Sequence, residues 1–477
     1  MASRSRSIMV IGGGVSGLST AYYINRLWAA SGVRDKLDVT VLERSGSAGG
    51  KIATERHDGF VIELGPDSVF ADGGAFTGLC AELGISGKTI APAQRSSRAC
   101  LLLGGALKEL PRGLTSMLPT ALMPILTSDI LSPVGKLRAS MELFVPRGRG
   151  GDESAAAFVR RRFGNEVYER IAEPLMCGIH AGDPARTSMR STFPSISAME
   201  ARRRSLILDA ASRGAAKQAH GSRPAGFVAL DAGMSGLTDA LARALGGSVR
   251  TNSAVESVSI GNVAENRHTV VLRGGTTMRA DAVVIAVPAY DSAALVEQSD
   301  PELARMLNSI EYRSVAIATL AYKSADVRER PVGSGFLVPR IEGSRLSAVT
   351  WSSMKWAGRA PPDTLLARCF FNDAYGGETL YLDDDSLVQL AHGELAKLFG
   401  IGAAPVLSRV QRWRRGMPQY TMGHAELVGA IADRLHEHSG LFMTGAWIDG
   451  VGIPRCLSNA TKTANEVFDY ISNEMVS

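Results

Sequence analysis

The sequence predicts a mixed architecture, α/β and α+β in class, in which a parallel-sheet nucleotide unit is joined to an antiparallel sheet and a helical layer. Three observations predict it. A short apolar strand at residues 7–11 runs into a glycine-rich turn, a helix and a second strand. Residues 308–412 alternate apolar and polar side chains, as in Ala316-Ile317-Ala318-Thr319-Leu320-Ala321-Tyr322, which is the pattern of antiparallel strands with one covered face. Residues 92–210 are rich in Arg, Ala and Leu and read as helical, with breaks at Pro146-Arg147-Gly148 and Gly150-Gly151. At 477 residues with 45% hydrophobic content, the chain is long enough for two or three packed cores.

The first element is the most informative. Ser7-Ile8-Met9-Val10-Ile11 precedes Gly12-Gly13-Gly14-Val15-Ser16-Gly17, a helical pattern follows over 18–28, and a second strand over 37–42 ends at Glu43. Glycines at these spacings allow a tight turn and let the backbone approach a pyrophosphate at the positive end of a helix. Gly-x-Gly-x-x-Gly alone is a weak signal, but here it stands between a strand and a helix. Glu43 closes the second strand, where a carboxylate accepts hydrogen bonds from both ribose hydroxyls of an adenosine and disfavours a 2′-phosphate. The excess length between Gly17 and Glu43 falls in the polar turn 29–36.

Further along, residues 114–131 are apolar but carry two prolines and an aspartate. They fall short of the roughly 18 uninterrupted apolar residues of a spanning helix, so a lid, a substrate wall, a membrane-resting surface or a plain internal helical layer all stay open. Residues 209–226 are small and polar and read as a connector. Residues 282–288 form a buried strand stopped by Pro288, and 440–470 return to strand, glycine loop and helix. The expected organisation is a nucleotide-binding domain assembled from 1–85, 225–300 and 416–477. A helical domain over 86–210 is the candidate for substrate or membrane contact, and 301–415 form a substrate-binding antiparallel sheet. No internal repeat is visible.

Composition excludes several classes. The net charge of +5 is spread without a lysine-rich block, which is compatible with an anionic substrate or lipid surface but carries no signature of nucleic-acid binding. Arg202-Arg203-Arg204 reads as a solvated helix face. The five cysteines are scattered, odd in number and form no Cys-x-x-Cys pair, which points to a reducing compartment and away from structural zinc or any other metal, a dithiol centre and a disulfide framework. The polar stretch before Ile8 has no apolar signal region, so the expected location is the cytoplasm.

A second glycine pair follows Glu43 in Ser47-Ala48-Gly49-Gly50-Lys51, and Thr444-Gly445-Ala446 and Gly450-Val451-Gly452-Ile453-Pro454 stand near the end. These segments resemble the extended fingerprint of the FAD-containing amine oxidase superfamily. The resemblance implies a Rossmann-like FAD-binding domain and non-covalent FAD. Gly445, Val451, Gly452 and Ile453 fall at the flavin end, and Gly49, Gly50 and Lys51 near the pyrophosphate.

The resemblance narrows on Glu63-Leu64-Gly65-Pro66-Asp67-Ser68, Glu173-Pro174-Leu175, Gly178-Ile179-His180-Ala181-Gly182-Asp183-Pro184, Ser191-Thr192-Phe193-Pro194, Arg204-Ser205-Leu206-Ile207 and Met417-Pro418-Gln419-Tyr420. Together these are similar to the oxygen-dependent porphyrinogen oxidases of haem biosynthesis. Gly-Ile-x-Ala-Gly-Asp and the long early turn are similar to the Gram-positive-type branch, which oxidises coproporphyrinogen III; protoporphyrinogen IX stays open as the alternative. The implied cofactor residues include Gly65, Pro66, Asp67, Ser68, Val255 at the adenine end and Trp413 at the flavin. The implied substrate residues are Gly178, Leu337, Thr350 and Phe370, with Arg98 as the nearest match to a propionate-pairing arginine. No catalytic side chain is assigned, because the flavin carries the chemistry. His180, where the family usually has Tyr, receives no role. Dioxygen is the implied acceptor, a ferrochelatase the implied receiver of product, and peripheral contact with the inner face of the cell membrane is compatible with this reading. Rival readings on the same fold are an amine oxidase, a carotenoid desaturase or a non-catalytic escort protein of the GDP-dissociation-inhibitor type.

Overall fold

The computed structural model describes residues 5–33, 35–71, 74–93, 99–111, 113–115, 117–148, 150–219, 226–261 and 267–473. Strand β1 (Arg6–Ile11), helix α1 (Val15–Ser31) and strand β2 (Leu37–Leu42) form the anticipated opening unit. A five-stranded sheet grows around them in the order Val249–Arg250, β2, β1, Ala282–Ile285, Leu441–Met443, and every neighbouring pair is parallel. The inner strand Ala282–Ile285 is fully buried, as its unbroken apolar text demands of a parallel strand covered on both faces. The C-terminal helix Ile453–Asn473 shares one apolar core with α1: Leu18, Ala21 and Ile24 pack in the same cluster as Leu457, Ala464 and Val467.

The second sheet has seven strands in the order Leu407–Pro418, Tyr312–Lys323, Thr364–Asn372, Ala348–Trp351, Gly335–Leu337, Ala99–Leu103, Ala106–Glu109. One face, with Phe336, Val349, Cys369 and Ala318, is sealed by Leu387, Ala391, Leu395 and Phe399 of the helix Asp384–Phe399. The opposite face is the one that matters for chemistry.

The structure departs from the sequence reading in three places. The segment from 92 is not helical throughout: Ala99–Leu103 and Ala106–Glu109 form a hairpin whose first strand pairs in parallel with Gly335–Leu337. Residues 114–131 break into a two-residue hairpin, Leu114–Thr115 with Leu118–Pro119, and a short helix, Leu122–Thr127. Ile125, Ile130 and Leu131 enter the helical core while Met123 and Leu126 face outward. The polar connector from 209 begins as helix, because Leu206–Ala219 continues through it. Its first turn is anchored by Glu142, which accepts the Leu206 N–H at 2.8 Å. Residues 202–204 do form an exposed helix end, with Arg202 paired to Asp209 at 2.8 Å.

Candidate active site

The glycine turn is built to leave a helix end open. Gly12 has φ +109°, and a Cβ at Gly17 would lie 2.0 Å from the Gly12 carbonyl oxygen, so side chains are excluded at the bend itself. Gly14 caps α1 without a side-chain acceptor, leaving the first N–H groups of the helix, from Val15 and Ser16 onward, for an anion. The second glycine pair is drawn onto the first: the Gly49 N–H donates to the Gly13 carbonyl at 2.8 Å, and Gly14 bridges Gly49 in parallel. Gly50 follows in the left-handed region, φ +59°. Lys51 lies beside this turn, and burial pushes its ammonium pKa down.

Glu43 is buried at the end of β2. Its carboxylate accepts the Gly13 N–H through Oε2 and the Ser45 N–H through Oε1, each at 2.8 Å. It is therefore fixed against the turn, with acceptor capacity left over, since a carboxylate offers about four lone-pair sites. Val255 opens the strand Val255–Ser259 two residues after Ser253, whose N–H donates to the Glu43 carbonyl.

The distal loop meets the same sheet at its far edge. Thr444 N–H donates to Ile285 O at 3.0 Å, Gly445 follows, and Val451 and Gly452 lead into the helix that opens at Ile453. Tyr420 donates to Ala446 O and stacks on His424, whose imidazole reaches Ile448 O at 3.0 Å. The Met-Pro-Gln-Tyr segment thus braces the loop. Thr444 Oγ1 and Trp447 Nε1 are buried without a hydrogen-bond partner among the described residues. Such orphaned groups next to an open helix end fit a polar cofactor that satisfies them.

The turn containing Gly65, Pro66, Asp67 and Ser68 lies against Lys51, whose carbonyl oxygen a Cβ on Gly65 would meet at 1.9 Å, and donors from the seven-stranded sheet and the helix Ser352–Lys355 hold it. Trp413 Nε1 donates to Leu64 O at 2.6 Å and Arg368 to Gly65 O at 2.5 Å. Lys355 pairs with Asp67 at 2.9 Å, and Trp356 Nε1 and Ser68 Oγ also donate to that carboxylate. Burial works against the ionised Asp67, but the Lys355 and Arg368 cations outweigh it and hold the carboxyl well below the usual range. Arg359 donates to Leu230 O and Asp231 O and lies 3.5 Å from Glu63.

The open face of the seven-stranded sheet brings the expected substrate residues together. Leu337, Ala348, Phe370 and Ile317 form one cross-strand row, and Gly335, Thr350, Arg368 and Thr319 the next. Leu337, Thr350 and Phe370 are half-buried. Gly178 comes in from the helix Glu173–His180 and faces Leu337, whose Cδ2 would lie 2.7 Å from a Cβ there. Asn372 ties that helix to the sheet by donating to Cys177 O at 3.3 Å. His180 packs edge-on against Phe193, with burial pushing its pKa down to about 4. Arg98 lies outside the described residues. Among them no group of acidic, histidine and cysteine side chains is arranged to hold a metal ion.

Sequence reasoning missed Lys355, Arg359, Arg368 and Asn372. The available signal was Arg368 itself, a permanent cation inside the apolar strand text Leu-Leu-Ala-Arg-Cys-Phe-Phe.

An open glycine-turn helix end, a carboxylate at the end of β2 and a second glycine loop with orphaned polar groups define a dinucleotide-binding flavoprotein, and comparison with known proteins agrees. The chain belongs to the flavin containing amine oxidoreductase family, whose model matches residues 15–468. It is an FAD-dependent oxidoreductase. It is 33% identical to the coproporphyrinogen III oxidase of Propionibacterium freudenreichii, across 97% of this chain and 90% of that one. It is 29% identical to the coproporphyrinogen III oxidase of Bacillus subtilis, across 99% of this chain and all of the relative. Among solved structures it is similar to a candidate protoporphyrinogen oxidase from Exiguobacterium sp. 255-15, with a TM-score of 0.81, 27% identity and coverage of 97% and 98% of the two chains.

Proposed function

We propose that the chain oxidises coproporphyrinogen III to coproporphyrin III in haem biosynthesis, with dioxygen as final acceptor and hydrogen peroxide as second product. The reading is carried by the meeting of Gly178 with Leu337 on the sheet face that also bears Thr350 and Phe370, which gathers the residues expected to line a macrocycle site. The relatives named coproporphyrinogen III oxidase match along nearly the whole chain.

The reaction removes six hydrogens from the porphyrinogen in three two-electron steps, and three dioxygen molecules become three of hydrogen peroxide. FAD, when bound, supplies the electron acceptor for each step. The protein's part is placement. Leu337 and Phe370 exclude water from the face of the ring, and the missing side chain of Gly178 lets Leu337 close against the helix Glu173–His180. Burial keeps His180 neutral near pH 7, so it brings no positive charge to the ring. Pyrrole N–H protons leave to water, and aromatisation drives the sequence, so no side-chain base is required. Arg98 pairs with a propionate in this reading.

A second observation bears on location. Met123, Val134, Leu137 and Phe144 expose between 66% and 76% of their surface within one short stretch, and no helix among the described residues is long and apolar enough to cross a membrane. We read this stretch as a peripheral contact with the inner face of the cell membrane in a cytoplasmic enzyme that passes its product to a ferrochelatase. Sedimentation with anionic lipid vesicles, lost in a Leu137→Ser, Phe144→Ser double variant, tests it.

The central test is competition in air between coproporphyrinogen III and protoporphyrinogen IX, followed by porphyrin fluorescence. A kcat/KM favouring the four-propionate substrate is the expected result. Preference for protoporphyrinogen reassigns the substrate, and activity with neither overturns the porphyrinogen reading while leaving the flavin assignment intact.

A further inference from the structure

Arg368 is anomalous on electrostatic grounds. It is 1% exposed, and among the described residues it donates a single hydrogen bond, to Gly65 O, and leaves its buried Nε without an acceptor. Among the described residues no carboxylate comes within ion-pair distance of it; its other close neighbour is the ring of Phe370, 5.0 Å from its guanidinium carbon. A buried guanidinium is strongly disfavoured unless charge or acceptors face it, and an arginine does not escape by losing its proton.

The surrounding charges do not balance it. Asp67 is already engaged by Lys355 at 2.9 Å, and Glu63 faces Arg359 at 3.5 Å. Among the described residues Asp67 and Glu63 stand against Lys355, Arg359 and Arg368, and the more distant Asp231 and Arg56 add one charge of each sign, which leaves one positive charge in excess. That excess sits at the turn 64–68, which Trp413 and Arg368 of the seven-stranded sheet and Lys355 of the short helix Ser352–Lys355 hold by hydrogen bonds.

We propose that Arg368 is an electrostatic partner of the flavin: its fixed cation, seated on the Gly65 carbonyl, compensates the negative charge that the cofactor gains on reduction and so raises its reduction potential. Asp67 and Lys355 act through it as positioning residues. Asp67 limits the excess to one charge, and Lys355 keeps Asp67 from pairing with Arg368 and silencing it. The proposal rests on the FAD assignment and on the turn 64–68 lying against the flavin, and stands independently of the substrate.

The test is the two-electron midpoint potential of purified, FAD-saturated holoenzyme, measured by dye equilibration with no substrate present. Arg368→Met fills similar volume without charge and is expected to shift the reduction equilibrium at least tenfold toward oxidised flavin, about 30 mV for a two-electron couple. Arg368→Lys retains the charge and is expected to restore most of the potential. Asp67→Asn adds net positive charge and is expected to shift the potential in the opposite direction. Opposed signs in the two neutralising variants are not produced by loosened packing. An unchanged potential in Arg368→Met, whether with weaker flavin binding only or with a raised KM for a carboxylate-bearing porphyrinogen, overturns the proposal. The last result assigns the guanidinium to the substrate. Should Arg368→Met fail to fold, the Asp67→Asn shift still decides: no shift, or a negative one, overturns it.

Discussion

Gly178 shows how one missing side chain shapes the site. Its Cα lies so close to Leu337 that a Cβ would come within 2.7 Å of Cδ2. Gly178→Val is therefore expected to lower kcat/KM on the order of tenfold or more, the scale of a 1–3 kcal/mol overpacking cost, with flavin content and visible spectrum unchanged. Wild-type kcat/KM in that variant would place the substrate elsewhere. His180 yields a prediction of another kind. Its folded pKa, about 4, is below the ordinary histidine value of about 6.5. Between these values the unfolded chain binds more protons than the native one, so stability rises with pH through this window and is flat above it. His180→Tyr is expected to flatten the fall in Tm between about pH 6.5 and 4, and parallel Tm–pH curves would refute it. The glycines and Glu43 were legible in the sequence because a pyrophosphate turn demands glycine at fixed local spacing. Arg368 was not, because its acceptor on Gly65 lies 303 residues away and only the folded sheet brings them together.

Among the elements, the helix Pro301–Asn308 is held by one carboxylate serving three donors. Asp300 caps it by accepting the Leu303 N–H at 3.0 Å and accepts from Arg434 of the helix His424–His436 at 2.7 Å and from His438, just beyond that helix, at 2.6 Å. Burial opposes its ionisation, but the Arg434 and His438 hydrogen bonds prevail and bring its pKa down to about 2. A depressed carboxylate contributes stability that is present above its unfolded pKa and lost as pH falls toward 2. Asp300→Asn is expected to cost about 1–2 kcal/mol at pH 7, with the gap narrowing below about pH 4; urea unfolding at both pH values checks it. The hairpin of Ala99–Leu103 with Ala106–Glu109 illustrates where the sequence reading of elements gave out. Ala-Cys-Leu-Leu-Leu is a short unbroken apolar run, which periodicity alone does not assign to strand or helix, and its partner strand Gly335–Leu337 is far along the chain. The strands from Tyr312 onward were legible as strands, but not as half-covered ones: residues 316–322 are buried at every position, because Phe60 and Ile62 pack with Ala321 and Leu366 in a further apolar cluster.

On the scale of the whole molecule, both sheets are assembled from distant pieces of chain. The parallel sheet takes strands that begin at residues 6, 37, 249, 282 and 441. This order has a consequence for biosynthesis. While the ribosome is still translating the residues before Leu441, the nascent chain lacks both the edge strand of the cofactor sheet and the C-terminal helix that packs on α1. The glycine turn at residues 12–17 is made first, yet its other half is made last. Flavin capture is therefore expected to follow release of the finished chain. A protein ending at residue 440 is expected to purify colourless even when supplied with excess FAD, and retention of stoichiometric flavin by that truncation would contradict this order of assembly. Until residue 441 is made, the chain thus carries a cofactor sheet with one bare edge, open to pairing with any other exposed strand.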